Sequence, residues 1–325
     1  MVGQERVLVR LIKLVDTIPV PPPPAKRGRG HPPLYSERLF LKALVLMIVC
    51  HLPTVGALLA VLEEPAMQDV RALLQERGRY PVRRTWERRL ARLPATLPAQ
   101  IACLGQHLVA LLKPWAQTGR AAAIDSTALR ACGGVWHKKD REAGKVPHTS
   151  IDTEAHWTKS GWHGWVYGWK LHLVTTVAAV WIPLAAALTP ANVADNEQAP
   201  ALLAALPADV RFVLGDQHYN DADLQDRCAA QNRVLVTTKR GAYPHHDDGV
   251  EVRRLFHELR SRAIENFNGQ FKNIFDCRGQ VPTRGLMATS RFVLGAVLVY
   301  QLALLHRFET GGNLRVGLTP FLKAA

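Results

Sequence analysis

Three acidic residues, Asp125, Asp216 and Glu265, fall on segments that can deliver carboxylates to one point from separate elements. Asp125 ends the apolar stretch AAAID, Asp216 ends RFVLGD, and Glu265 lies in the helix-like run SRAIENFNGQFKNIF. Carboxylates brought from two strand ends and a helix can converge on divalent cations. Two such ions about 3.5–4 Å apart activate an oxygen nucleophile and stabilise a leaving oxygen in phosphodiester transfer. Each aspartate alone reads more readily as a turn residue, and Glu265 as an i,i+3 surface partner of Arg262. Their joint occurrence is what points to the chemistry. At about 100° per residue, Arg262, Glu265 and Lys272 share one helix face, so the carboxylate can ligate a cation while the two bases reach phosphate oxygens.

The elements that must position these acids are legible in the hydrophobic periodicity. AAAIDS reads as a first strand, and WKLHLVTTVAA with VWIPLAAAL as a hairpin pair, Pro183 marking an edge or a strand start. EQAPALLAAL is helical, RFVLGD a strand, DADLQDRCAAQ helical and RVLVTT a further strand, followed by the Glu265 helix. Strand, strand, strand, helix, strand, helix, strand, helix is the order of a ribonuclease-H-like mixed sheet flanked by helices, here over residues 119–325. The apolar run FVLGAVLVYQLALLH is expected to pack across that sheet. AIDST and VLGD place the two aspartates side by side if their strands are neighbours, where like charges need a cation to coexist.

The first 115 residues differ in character. Residues 1–18 hold Leu8, Leu11, Ile12 and Val15 at helical spacing, and 19–35 form a Pro-rich basic linker. In that linker Lys26, Arg27 and Arg29 loosely match an arm that lays arginine into a DNA minor groove, although a solvated spacer has the same composition. Ser36 is placed to cap the first of several helices that continue to about residue 115. Within them AMQDVRALLQERG and TWERRLARLP form a helix-turn-helix-like pair, with Thr85 as the expected cap of the second. Arg88, Arg89 and Arg92 crowd one end of that helix and would contact DNA, or simply face water. The stretch FLKALVLMIVCHLPTVGALLAVL is interrupted by Lys42, His51 and Pro53, which predicts two buried helices rather than a membrane span.

Charge narrows the partner. Lys and Arg number 41 against 27 acidic residues, a formal +14. With a pI near 9.9, the surface field attracts polyanions. The charge is spread along the chain rather than gathered on one amphipathic helix, so double-stranded DNA is expected and a membrane is not. Five dispersed cysteines without CxxC spacing, and the absence of a recognisable signal peptide, suggest a reducing cytoplasm.

Several other groups have two readings. His137, His148, His156, His163 and His172 match no zinc-ligand spacing and read as ordinary loop or strand histidines, as do His245 and His246 with Asp247 and Asp248. Asp195 is expected to cap the helix that follows it. Trp136, Trp157, Trp162, Trp165 and Trp169 interleave with basic residues including Lys159 and Lys170, a pattern suited to gripping frayed DNA ends or to packing on a sheet edge.

AIDST around Asp125, GWKLHLVTTVAAVWIPLAAALTPANVADNEQAPALL, VLGDQHYND around Asp216 and RAIENFNGQFK around Glu265 together resemble the DDE transposases of bacterial insertion sequences. The branch resembled has no large domain inserted before the glutamate. The likeness covers residues 119 to about 305. It implies that Asp125, Asp216 and Glu265 bind the metal, Mg²⁺ with Mn²⁺ as a substitute, that Lys272 contacts the DNA strand, and that Asp195 lies near the active centre. It further implies end cleavage followed by strand transfer, a homodimer on DNA, and a bacterial, nucleoid-associated setting. Relatives carry a tyrosine seven positions before the glutamate and an arginine four before it; here those places hold Glu258 and Ser261. Arg260 and Arg262 flank the latter, and either could substitute. A domesticated DNA-binding protein and a hydrolysis-only nuclease are the alternatives.

Overall fold

The computed structural model describes residues 6–22, 34–116, 119–145, 147, 150–161, 164–237, 254–256 and 258–323. Among these residues six strands form one mixed sheet: β1 (Ala121–Arg130), β2 (His156–Ser160), β3 (Gly164–Thr176), β4 (Pro183–Pro190), β5 (Phe212–Gly215) and β6 (Val234–Thr237). β1 lies at its centre, antiparallel to β3 and parallel to β5, while β4 pairs antiparallel with β3 and β6 parallel with β5. Parallel neighbours need a crossover. The helices Asp195–Ala204, between β4 and β5, and Ala222–Ala230, between β5 and β6, occupy those connections. The order β4, β3, β1, β5, β6, with three antiparallel strands followed by two parallel ones, is a ribonuclease-H-like sheet. β2, which pairs with the first residues of β3, was not anticipated. Its HWTKS sequence is too short and too polar to show the alternation of a half-buried strand.

The strands form where expected because their residues are apolar on both faces. Ala122, Ala123, Ile124, Leu171, Leu173 and Val174 are all buried. Pro183 opens β4, a place where its missing N–H costs nothing. The helix Leu286–Glu309 packs against β4 and against the helices Leu97–Ala116, Glu37–Val49 and Val7–Leu14. It is long and apolar enough to cross a membrane, yet 89% of its most apolar window is buried inside the protein. Gln301 in its middle donates to the carbonyls of Ile101 and Pro183, both at 2.8 Å, which ties this helix to the N-terminal region and to β4. Gly105 has to be glycine there, because a Cβ would collide with the Pro183 carbonyl oxygen.

In the N-terminal region Leu8, Leu11, Ile12 and Leu14 are the buried stripe of the first helix. Ser36 caps Glu37–Val49 by accepting from Leu39 N, and Thr54 caps Val55–Glu63 by accepting from Ala57 N. The apolar stretch broken at Pro53 is therefore two packed helices. Thr85 does not cap its helix, which begins earlier at Arg83 with Val82 at the cap position and no side-chain cap bond. Two arginines before Thr85 are good helix formers and extend the element past the expected start. One hydrophobic core runs continuously from Leu8 to Leu322, joining the helical region to the sheet.

Candidate active site

Asp125 and Asp216 are level with each other. β1 and β5 pair in register through Ala121 with Phe212, Ala122 with Val213 and Ala123 with Leu214. The chain stays extended through Asp216, so two more residues along each strand bring both aspartates to the same height on adjacent strands, spaced about 4.8 Å apart. Asp125 Oδ1 accepts from Ser126 N and Asp216 Oδ1 accepts from His218 N, each at 2.8 Å. Burial pushes the Asp125 carboxyl up to about 6; Arg260 opposes that shift and Asp216 adds to it.

Glu265, whose side chain is 61% exposed, is linked to the pair by Arg260 by way of an irregular turn. Residues Ser261–Glu265 form a π turn that leads into the α-helix Asn266–Ile274. In a regular α-helix, residues five apart diverge by about 140°. The wider i→i+5 turn instead sets Arg260 and Glu265 on one face. Arg260 is buried, and its Nη1 lies 3.3 Å from Asp125 Oδ2 while Nη2 lies 3.8 Å from Glu265 Oε1. One guanidinium thus spans the first and third acids. The expected face of Arg262, Glu265 and Lys272 assumed a regular helix, and the π turn changes that geometry. Arg262 is exposed, and its carbonyl accepts from Asn266 Nδ2. Of the two arginines that flank Ser261, Arg260 is the one at the carboxylates.

Two further residues join the cluster. Tyr219 is buried with an unpartnered hydroxyl among the described residues, and its phenol is pushed well up by burial and then by Asp195, Asp125 and Asp216 in turn. Asp195 lies at the start of its helix but does not cap it; the cap position is Ala194, and no side chain fills it. Its carboxylate instead takes a bond from Lys170 Nζ at 3.1 Å, and Lys170 also donates to Val193 O. His172 lies 3.6 Å from Asp195, but burial lowers its pKa to about 4, so the contact is not an ion pair near neutrality. The QHYN sequence after Asp216 gave no sign that Tyr219 turns inward beside the acids. Beside the cluster lies a cavity of about 500 Å³, bordered by Ser126, Lys159, Lys170, Asp195, Asn196 and His218.

The other basic candidates are dispersed. Lys272 is partly buried, and desolvation lowers its pKa. Arg88 is exposed on the helix Arg83–Leu90, whereas Arg89 lies over the Phe40 ring at 4.9 Å. Arg27 and Arg29 lie outside the described residues, as do Trp162, His148, His163, His245, His246, Asp247 and Asp248. Of the tryptophans, Trp169 is fully buried, Trp157 packs on Tyr167 and donates to Trp136 O, and Trp165 is 63% exposed. A second cleft, of about 570 Å³, was invisible in the sequence because its arginines come from distant segments. Arg83 and Thr54 of the helical region meet Arg284 and Arg291 of the C-terminal region there, with Glu87 paired to Arg83.

A hard divalent cation suits the donor set. Asp125, Asp216 and Glu265 offer only oxygen ligands, and the Arg260 guanidinium shows that a cation is accommodated between two of them. As arranged, no three metal-ligating side chains among the described residues stand close enough together to hold an ion.

A family model described as a transposase DDE domain matches residues 116–302, more than half of the chain. Among solved structures, the chain is similar to a piggyBac transposase synaptic complex with hairpin DNA, at 9% identity and a TM-score of 0.39, over 98% of this chain and 79% of that one. It is also similar to a pre-cleavage Mos1 transpososome, at 14% identity and a TM-score of 0.22, over 89% and 82% of the two chains. These likenesses are too low to carry a structural argument. No curated protein matches the chain. On the match across its sheet and its acid-bearing segments, the protein belongs to the transposase DDE-domain family.

Proposed function

We propose that the protein cuts and joins DNA at the ends of an insertion sequence, with Asp125, Asp216 and Glu265 as its catalytic carboxylates. The observation that carries this reading is the level placement of Asp125 and Asp216 on neighbouring strands, with Glu265 linked to Asp125 through Arg260. Mg²⁺, or Mn²⁺ in its place, would be held by these three side chains and would supply charge at the phosphorus and an activated oxygen nucleophile. The residues themselves do the rest. β1 and β5 fix two acids rigidly, and the Glu265 segment brings the third from a helix. Burial of Asp125 strengthens the charge interactions of its carboxylate.

DNA is held by the basic surface. Lys272, Arg262 and Arg88 are the phosphate contacts in this account, with Arg27 and Arg29 as an arm and Lys170 beside the acid cluster. The cleft of Arg83, Arg284 and Arg291 lies between the helical region and the C-terminal region, a position suited to a strand that passes from one to the other. The active species is a homodimer on DNA, since two ends have to be held together.

The test is incubation of the full chain with Mg²⁺ and DNA from the flanks of its own reading frame. Nicks at defined ends and joined products are expected. Asp216→Ala should bind ends and not cut them; robust cutting by that variant would refute the assignment, and cutting without joining would reduce the activity to hydrolysis.

A further inference from the structure

Among the described residues two arginines are buried, and the groups that hold them differ in charge. Arg233 donates through Nη1 to Leu203 O at 2.6 Å and through Nη2 to Leu206 O at 2.9 Å and Pro207 O at 3.3 Å, with Gln231 beside it. These acceptors are neutral and belong mostly to the backbone, so nothing in the reaction competes for them. Arg260 is held by two carboxylates at the longer distances of 3.3 and 3.8 Å, while the Nε of each arginine is without a partner among the described residues. Its acceptors are two of the three side chains that the proposed function assigns to a metal.

Electrostatics explains why such a group is present. Asp125 and Asp216 lie side by side, with Asp195 near enough to add to their repulsion. A cluster of like charges in a half-buried site is unstable without a compensating cation. In the protein alone the guanidinium supplies that charge. The π turn is what lets it do so, because it sets residue 260 on the side of residue 265 that faces β1. A guanidinium and a divalent cation cannot both occupy the space between the same two carboxylates.

We propose that Arg260 is the resident counter-ion of the acid cluster: it stands in for the divalent cation between Asp125 and Glu265 and has to leave that position when metal enters. This rests on the reading that those two carboxylates are metal ligands. Arg260 is accordingly a positioning residue that keeps the unloaded site assembled and sets the threshold for metal entry. A permanent structural arginine would leave metal affinity unchanged or support it. A stand-in cation opposes it.

The experiment is a Mn²⁺ titration of the full chain without DNA, followed by the electron paramagnetic resonance signal of free Mn²⁺, with thermal melts in parallel. Arg260→Gln should bind Mn²⁺ at least about tenfold more tightly than the wild type, because one positive charge has been removed from the site. Its metal-free melting temperature should fall, and Mn²⁺ should raise that temperature by more than it does for the wild type. Arg260→Lys keeps the charge on a shorter, more mobile stem and should fall between the two; it serves as the readout if the glutamine variant does not fold. Equal or weaker Mn²⁺ binding by these variants, with binding still dependent on Asp125, would overturn the proposal and leave the metal assignment standing. Mn²⁺ binding that survives Asp125→Asn, or that occurs in no variant, would remove the metal assignment and this proposal with it.

Discussion

The two sides of β5 use buried charge for different ends. On the β6 side, Arg233 fastens the chain after the Asp195–Ala204 helix by filling the carbonyls of Leu203, Leu206 and Pro207. On the β1 side, Arg260 faces carboxylates that carry charge of their own. The first arrangement uses neutral acceptors that bring no charge of their own. The second is left with an excess of acid, a buried phenol hydroxyl without a partner among the described residues and an aspartate whose carboxyl is pushed up to about 6. A fold keeps such a costly arrangement where the charge is used, and the contrast separates scaffold from site without reference to any relative.

Substitutions should split along the same line. The largest effect is expected for Asp125→Asn, which should lower end cleavage by about a thousandfold or more while leaving the metal-free protein at least as stable as the wild type, since a buried charge is lost. A strand-nicking assay and a thermal melt read the two halves. Arg233→Ala should do the reverse: about 3 kcal/mol less stability from the carbonyls left unpaired, with cleavage per folded molecule unchanged at low temperature. If Arg233→Ala abolished cutting by fully folded protein, the division into scaffold and site would fail.

pH sharpens the contrast further. Because the folded pKa of Asp125 is raised above its unfolded value, the stability linked to this group is fully present below about 4 and is lost as pH rises through about 6. Asp125→Asn should therefore flatten the pH dependence of the melting temperature in that window. Metal binding runs the other way, since the ligand has to shed its proton. Cleavage should weaken by up to about tenfold per unit as pH falls below 6. The smallest effect is expected at the second cleft. Arg291→Gln should weaken DNA binding a few-fold and reduce the slope of log affinity against log salt by about 1.

Much of this was legible in the sequence for physical reasons. Strands such as AAAIDS and RFVLGD are apolar runs bounded by turn residues, so their place and their terminal acids could be read directly. The cap at Ser36 and the helix break at Pro53 follow from side-chain chemistry alone. What failed depended on three-dimensional context. The π turn before Glu265 has no signature in SRAIE, so the helical-wheel argument grouped Arg262 with the acid and left the choice between Arg260 and Arg262 open. The helix that follows Asp195 gives it the look of a cap, and only the resemblance places it near the acids; Lys170 of β3 holds its carboxylate there. Tyr219 and the Arg83–Arg284–Arg291 cleft are products of packing between distant segments, to which no local pattern gives access.

The central claim is that Asp125, Asp216 and Glu265 share one cation site. Anomalous diffraction from crystals of the protein with end DNA and Mn²⁺ tests it most directly. The account predicts manganese peaks bounded by all three carboxylates, with the Arg260 guanidinium moved from between Asp125 and Glu265. Manganese bound elsewhere, or Glu265 turned away from the two aspartates while metal is present, would contradict it.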